Sequence, residues 1–301
     1  MTTMLSIRKF KNYILGVVKM RIINMIDNYN EMCNMTKIQG KFNAYKCYTE
    51  KYPDLYDGIF KYFYMTDISN LQSMIEQCDF NSCLAKAKEN IDNGIVDKIV
   101  NAVNKTIKLL NYHGDFDLYI GLDLGMHGGV ALPVNHGNPY AYIGIDRNIS
   151  ESNVESLIPH ELNHMVRGAI LQNIDMFDFT ERVISEGLGT YCPVAFRYGS
   201  CDFDLTIEIV AEVMGLPINK IMELMNNKNS LEKAVVNEFG TPLTAEKMSQ
   251  FFMWSGDDAT EYPLSGYFIG MYIIHDLITK GYTICELTAM SSQVIYQNYT
   301  K

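Results

Sequence analysis

His160-Glu161-Leu162-Asn163-His164 is the stretch of this chain whose residue types and spacing can do chemistry. On a helix, side chains four apart share a face, so both imidazoles can turn a ring nitrogen toward one ion. Glu161, next to the first histidine, can take a proton from water held at that ion. His, Glu, any two residues and His on a helix is a metallopeptidase pattern, with zinc as the expected metal. A chain with six histidines produces it by chance on the order of once in a hundred such sequences, so the match is specific. The structural alternative is a polar stretch on a helix without a role. Four polar residues in five are a costly set to bury for nothing, which favours the metal.

Two imidazoles seldom complete a catalytic zinc site; a third protein ligand and an open position for water are expected. Glu186, 22 residues after His164, opens Glu186-Gly187-Leu188-Gly189-Thr190-Tyr191 and is the expected partner. Gly187 would let its helix approach the site helix closely. Glu181 is the competing carboxylate, facing another direction and lacking an adjoining glycine. Zinc held by His160, His164 and Glu186 would acidify water, with Glu161 as the general base that passes the proton to a departing amine. Tyr267 is the expected donor to the developing oxyanion, ahead of Tyr191 and His275, and each also reads as a packed core residue. Arg167, one turn beyond His164, suits either a structural ion pair or a substrate end. His113, His127 and His136 read as ordinary surface or turn histidines.

These residues need elements to position them. Residues 1–50 read as an N-terminal helical extension, and 51–301 as one metallopeptidase domain: helical over 51–110, a small sheet over 115–146, site helices over 152–196 and a helical part over 203–298. At the N-terminus Ile7, Phe10, Ile14, Val17 and Val18 form one face of a short basic amphipathic helix, packed on the protein body in preference to a membrane surface. Apolar residues from Ile91 to Leu110 continue a single helix running from about Ser82. The period then changes: Phe116–Leu122, Val130–Val134 and Tyr140–Ile145 read as strands separated by turns at Gly128-Gly129 and Asn135–Pro139. The whole is α+β, mainly helical, with its small sheet directly before the site helix. An exposed edge of that sheet would suit an extended peptide. The site helix runs from about Ser152 to Arg167, with Pro159 marking a kink or its true start. The second site helix begins near Thr180.

Composition narrows the partners. A net charge of −10 with no basic tract argues against nucleic acid. Seven cysteines without paired spacing and no export signal fit reduced thiols in a cytoplasm. The apolar runs are too short to span a membrane.

The chain resembles the predicted zinc-dependent proteases of the YjaZ type, within the broader gluzincin group, over roughly Asp54 to Tyr296. The resemblance rests on His160–Arg167, on Ser185-Glu186-Gly187-Leu188-Gly189-Thr190-Tyr191 and on Gly266-Tyr267-Phe268-Ile269-Gly270. It implies a zincin-like helical domain around a small mixed sheet beside the site helix, a zinc cofactor, ligands His160, His164 and Glu186, general base Glu161, and peptide or protein substrates. It also implies a mainly bacterial family. One departure stands out: gluzincins often place an Asp four residues after the ligand Glu to support a histidine, and Thr190 stands there. Asp146, Asp175, Asp178 or a backbone carbonyl would have to serve instead. The alternative to an enzyme is a non-catalytic, zinc-stabilised peptide-binding or regulatory module, which would close its site with a fourth protein ligand.

Overall fold

Exposed and buried side chains alternate along Lys19-Met20-Arg21-Ile22, and that period of two makes a strand of a segment expected to be helical. The computed structural model describes residues 13–15, 18–122, 128–132, 137–199, 204–253 and 262–301. The chain divides into two units, residues 1–107 with 112–154 and residues 108–111 with 155–301.

The first unit holds the sheet. Its strands are β1 (Tyr13–Leu15), β2 (Val18–Asn24), β3 (Phe116–Gly121), β4 (Gly129–Val130) and β5 (Tyr140–Gly144), in spatial order β1-β2-β3-β5-β4. β2 and β5 flank β3 in parallel, and the two outer pairs are antiparallel, so the sheet is mixed as expected. Arg21 lies opposite Asp117 and clamps the buried carboxylate with bonds of 2.9 and 2.5 Å. The expected helical extension over 1–50 is therefore corrected at its start. Ile14 lies in β1 and Val18 in β2, whereas Ile7, Phe10 and Val17 fall outside the described residues. The β-branched and alternating run recruits the segment to the sheet in place of an amphipathic face.

Helices α1 (Ile26–Gln39), α2 (Lys41–Thr49), α3 (Pro53–Gly58), α4 (Gln72–Gln77), α5 (Phe80–Asp92) and α6 (Ile95–Leu109) complete this unit. The single helix expected from Ser82 to Leu110 is two, because Gly94 adopts φ +80° and ends α5. The stripe Ile95, Ile99, Val103 and Ile107 is buried along α6 as its spacing requires.

The second unit is helical: α7 (Glu151–Leu171, in this unit from Glu155 onward), α8 (Phe179–Tyr198), α9 (Ile207–Met214), α10 (Ile218–Asn226), α11 (Lys228–Asn237), α12 (Ala245–Phe252), α13 (Ser265–Thr279), α14 (Ile284–Thr288) and α15 (Ser292–Tyr299). α7 continues past Gly168, and Pro159 lies inside it, withholding one backbone donor from the turn before the first histidine. Apart from Ser185, every residue of α8 from Phe179 to Ala195 is buried. A helix with no exposed face over this stretch must be surrounded, and α9, α13, α14 and α15 pack on it. Side-chain caps from Asp178, Thr206, Thr244, Thr283 and Ser291 set the starts of α8, α9, α12, α14 and α15.

Two contacts decide how these helices sit. Arg167 on α7 is fully buried; its Nε and Nη2 donate to Glu181 at 2.7 and 2.8 Å, and its Nη1 to the carbonyls of Thr288 and Met290 at 3.2 and 2.6 Å. Asn163 adds a 2.8 Å bond to the Thr288 hydroxyl. Planar, bidentate pairing of this kind knits α7 to α8 and α14. On the other side, Gly187 of α8 crosses Gly270 of α13 backbone to backbone. A Cβ on Gly187 would lie 2.7 Å from the Gly270 Cα, and one on Gly270 would lie 2.9 Å from the Gly187 Cα. Among the described residues no helix is long and apolar enough to cross a membrane.

Gly187→Ala separates helix propensity from packing. Propensity alone would stabilise α8 by about 1 kcal/mol. The backbone clash should reverse the sign and cost about 1–3 kcal/mol, read as a lower Tm; an unchanged or raised Tm would show that the crossing tolerates a methyl group.

Candidate metal centre

The two histidines do share a face of α7: their Nε2 atoms are 3.0 Å apart, and each lies 3.3 Å from Oε2 of Glu186 on α8. Four-coordinate zinc with bonds of about 2.1 Å would hold its ligands roughly 3.4 Å from one another. A triangle of 3.0, 3.3 and 3.3 Å is close to one face of that tetrahedron, and two nitrogens with one carboxylate oxygen are a donor set zinc favours. Among the described residues, His160, His164 and Glu186 form the group of metal-ligating side chains that converge within 4.8 Å. The residues fit the metal.

Neighbours fix each ligand. The second ring nitrogen of His164, Nδ1, is 3.0 Å from the Ser185 hydroxyl, leaving Nε2 to face the centre. His160 is hydrogen-bonded to the backbone of Gly189. Arg182, one turn before Glu186, donates from Nη1 to Oε1 at 3.2 Å. Of the carboxylates offered as alternatives, Asp175 accepts from the Phe177 amide and Asp178 from the Glu181 amide at the start of α8. Asp146 is hydrogen-bonded to Cys83.

The glycines divide the work differently from the sequence reading. Gly187 faces α13, and it is Gly189 that faces the site helix. A Cβ on Gly189 would lie 3.0 Å from both His160 Cε1 and His164 Nε2, so that position accommodates the rings. Ser185, Arg182 and Gly189 join the site in the folded protein, and of the three Arg182 carries a signal in the sequence, the i, i+4 spacing of a helical ion pair with Glu186.

The remaining expected residues are placed as follows. Glu161, next to His160 on α7, is 6% exposed, and its charge acts on both His160 and Tyr267. Tyr267, at the start of α13, has its ring 6.5 Å from that of His160 and rests edge-on against Phe252 at 5.7 Å. Burial, aided by the charge of Glu186, raises the phenol far above its ordinary value, so it stays a protonated donor. Glu181 is committed to Arg167, which settles Arg167 as structural and removes Glu181 from competition. Tyr191 and His275 pair with each other at 3.3 Å. His113 is exposed, and His127 and His136 lie outside the described residues.

Burial would lower the pKa of His160, but its hydrogen bond to Glu186 and the charges of Glu161 and Glu186 leave it above the ordinary 6.5. For Glu186, burial would raise the carboxyl; the His164 charge, the bonds to both imidazoles and Arg182 instead hold it well below its ordinary 4.5. The signs follow by linkage. His160 stabilises the metal-free protein fully below 6.5, and this is lost as pH rises through its higher folded value. Glu186 contributes above 4.5, and that is lost as pH falls through its depressed value. Metal needs the neutral imidazole, so it competes with the same proton. The Tm gain on adding zinc should therefore grow from about pH 6 to about pH 8, measured by thermal unfolding with and without the metal. A gain that shrinks over that interval would contradict the shared site.

Compared with known proteins, residues 97–297 match the family model described as predicted Zn-dependent protease, DUF2268. No curated protein and no solved structure matches the chain. The matched span covers two thirds of the chain and contains the whole His160, His164 and Glu186 group; the protein belongs to this family of predicted zinc-dependent proteases.

Proposed function

We propose that the protein is a zinc metallopeptidase of gluzincin type that hydrolyses peptide bonds in peptide or protein substrates. One observation carries the reading: two imidazole nitrogens and one carboxylate oxygen, 3.0 to 3.3 Å apart, on two packed helices, with a buried carboxylate beside the first imidazole. A zinc ion bound there supplies Lewis-acid polarisation of a carbonyl and brings the pKa of water toward neutrality. His160, His164 and Glu186 hold it. Glu161 takes the proton of the attacking water and returns it to the departing amine. Tyr267, kept protonated by its burial, donates to the oxygen on which negative charge develops. Among the described residues the group numbers three side chains, the count expected of a catalytic zinc site, whereas a structural zinc site is closed by a fourth. With seven cysteines and no paired spacing, a reducing cytoplasm is the proposed location.

Glu161→Gln removes the base and keeps the ligands. Zinc content should be unchanged while turnover of a peptide library falls at least about 100-fold; full zinc-dependent activity in this variant would sink the assignment. Tyr267→Phe should lower kcat by about 100-fold with KM little altered. A kcat equal to that of the unaltered protein would remove Tyr267 from the reaction.

A further inference from the structure

The second unit buries two arginines, Arg167 on α7 and Arg182 on α8, and they are satisfied very differently. Arg167 spends its guanidinium on a bidentate carboxylate and two carbonyls, all between 2.6 and 3.2 Å. Arg182 is 8% exposed, yet its polar contacts are Glu186 Oε1 at 3.2 Å and the sulfur of Met248 at 3.8 Å, and its Nε is buried with no hydrogen-bond partner. A buried donor without a partner is costly, and a thioether is a weak acceptor. For fold stability alone, apolar side chains in place of Arg182 and Glu186 together would serve as well or better. What Arg182 does touch is the one ligand oxygen not facing the imidazoles: Oε2 of Glu186 lies 3.3 Å from both rings, while Oε1 points to the guanidinium.

We infer that Arg182 is a positioning residue that makes Glu186 a one-oxygen ligand. This rests on the ligand set given above. A free carboxylate can bind a metal through one oxygen or both. Engaging Oε1 in a charge-assisted bond withdraws it, offers Oε2 alone to the ion, and keeps the remaining coordination position for water and substrate. Arg182 acts through Glu186. Its i, i+4 placement on a buried stretch of α8 holds the pair in one geometry.

The test compares zinc affinity, by chelator competition, with the visible absorption of the cobalt(II)-substituted protein, whose intensity falls as coordination rises above four. Glu186→Gln should weaken zinc binding in otherwise folded protein; if it binds zinc as the unaltered protein does, the ligand set fails and this inference with it. With that result in hand, Arg182→Met, checked for folding by circular dichroism, should weaken zinc about 10- to 100-fold and dim the cobalt bands. In the Glu186→Gln background the same substitution should change neither readout, which a merely structural arginine would not satisfy. Zinc affinity and cobalt spectrum unchanged in Arg182→Met alone would overturn the inference while leaving the ligands in place. Should that variant not fold, a crystal structure of the zinc-loaded unaltered protein decides: Oε2 alone on zinc with Oε1 on Arg182 supports the inference, and both oxygens on zinc refute it.

Discussion

A carboxylate held inside the protein between two imidazoles is the constraint from which the second unit is built. Glu186 is 6% exposed, and a buried charge without partners would be neutralised or would unfold its surroundings. Every neighbour within reach offsets that cost: two ring nitrogens on α7 and a guanidinium one turn earlier on α8. The same arrangement that stabilises the buried carboxylate is the arrangement that can bind a cation. Charge compensation and metal ligation therefore make the same demand on geometry.

Meeting the demand requires two helices to approach at a defined height, and the chain uses opposite devices on the two sides of α8. Toward α7 the approach is set by polar side chains, Arg167 with Glu181 and Asn163 with Thr288, whose hydrogen bonds are directional and fix register. At Gly189 the absence of a side chain leaves space for the imidazoles, and at Gly187 it lets the backbone of α13 come into contact. That second contact brings the start of α13, and with it Tyr267, beside the site. From Arg182 to Gly189 a stretch of barely two turns supplies the carboxylate, its anchor, the hydroxyl that orients His164 and both close approaches.

Where reading by pattern went astray, two patterns competed. Residues 13–24 contain apolar positions that fit a helical face as well as alternation, and pairing with β3 decided for the strand. Apolar spacing from Ile91 to Leu110 ran through Asn93-Gly94 as if the helix continued, because a stripe of period 3.6 records which side chains are buried and says little about one residue in a left-handed conformation. The assignment of close approach to Gly187 had the right cause and the wrong neighbour, since a glycine permits contact on whichever side another helix happens to lie.

What the sequence determined by itself was local. The separation of His160 and His164 is a property of any α-helix, so their convergence needed no knowledge of the fold, and the adjacency of Glu161 came with it. The mainly helical α+β class and the buried stripe of α6 follow from periodicity in the same way. Only the tertiary structure could decide which carboxylate meets the rings, because Glu181 and Glu186 sit on one helix and are told apart by what lies opposite each: Arg167 for the first, the two imidazoles for the second. The support of His164 by Ser185 was decided there too. Its length of 3.0 Å depends on the packing and rotation of two helices, which the spacing of residues along a chain does not specify.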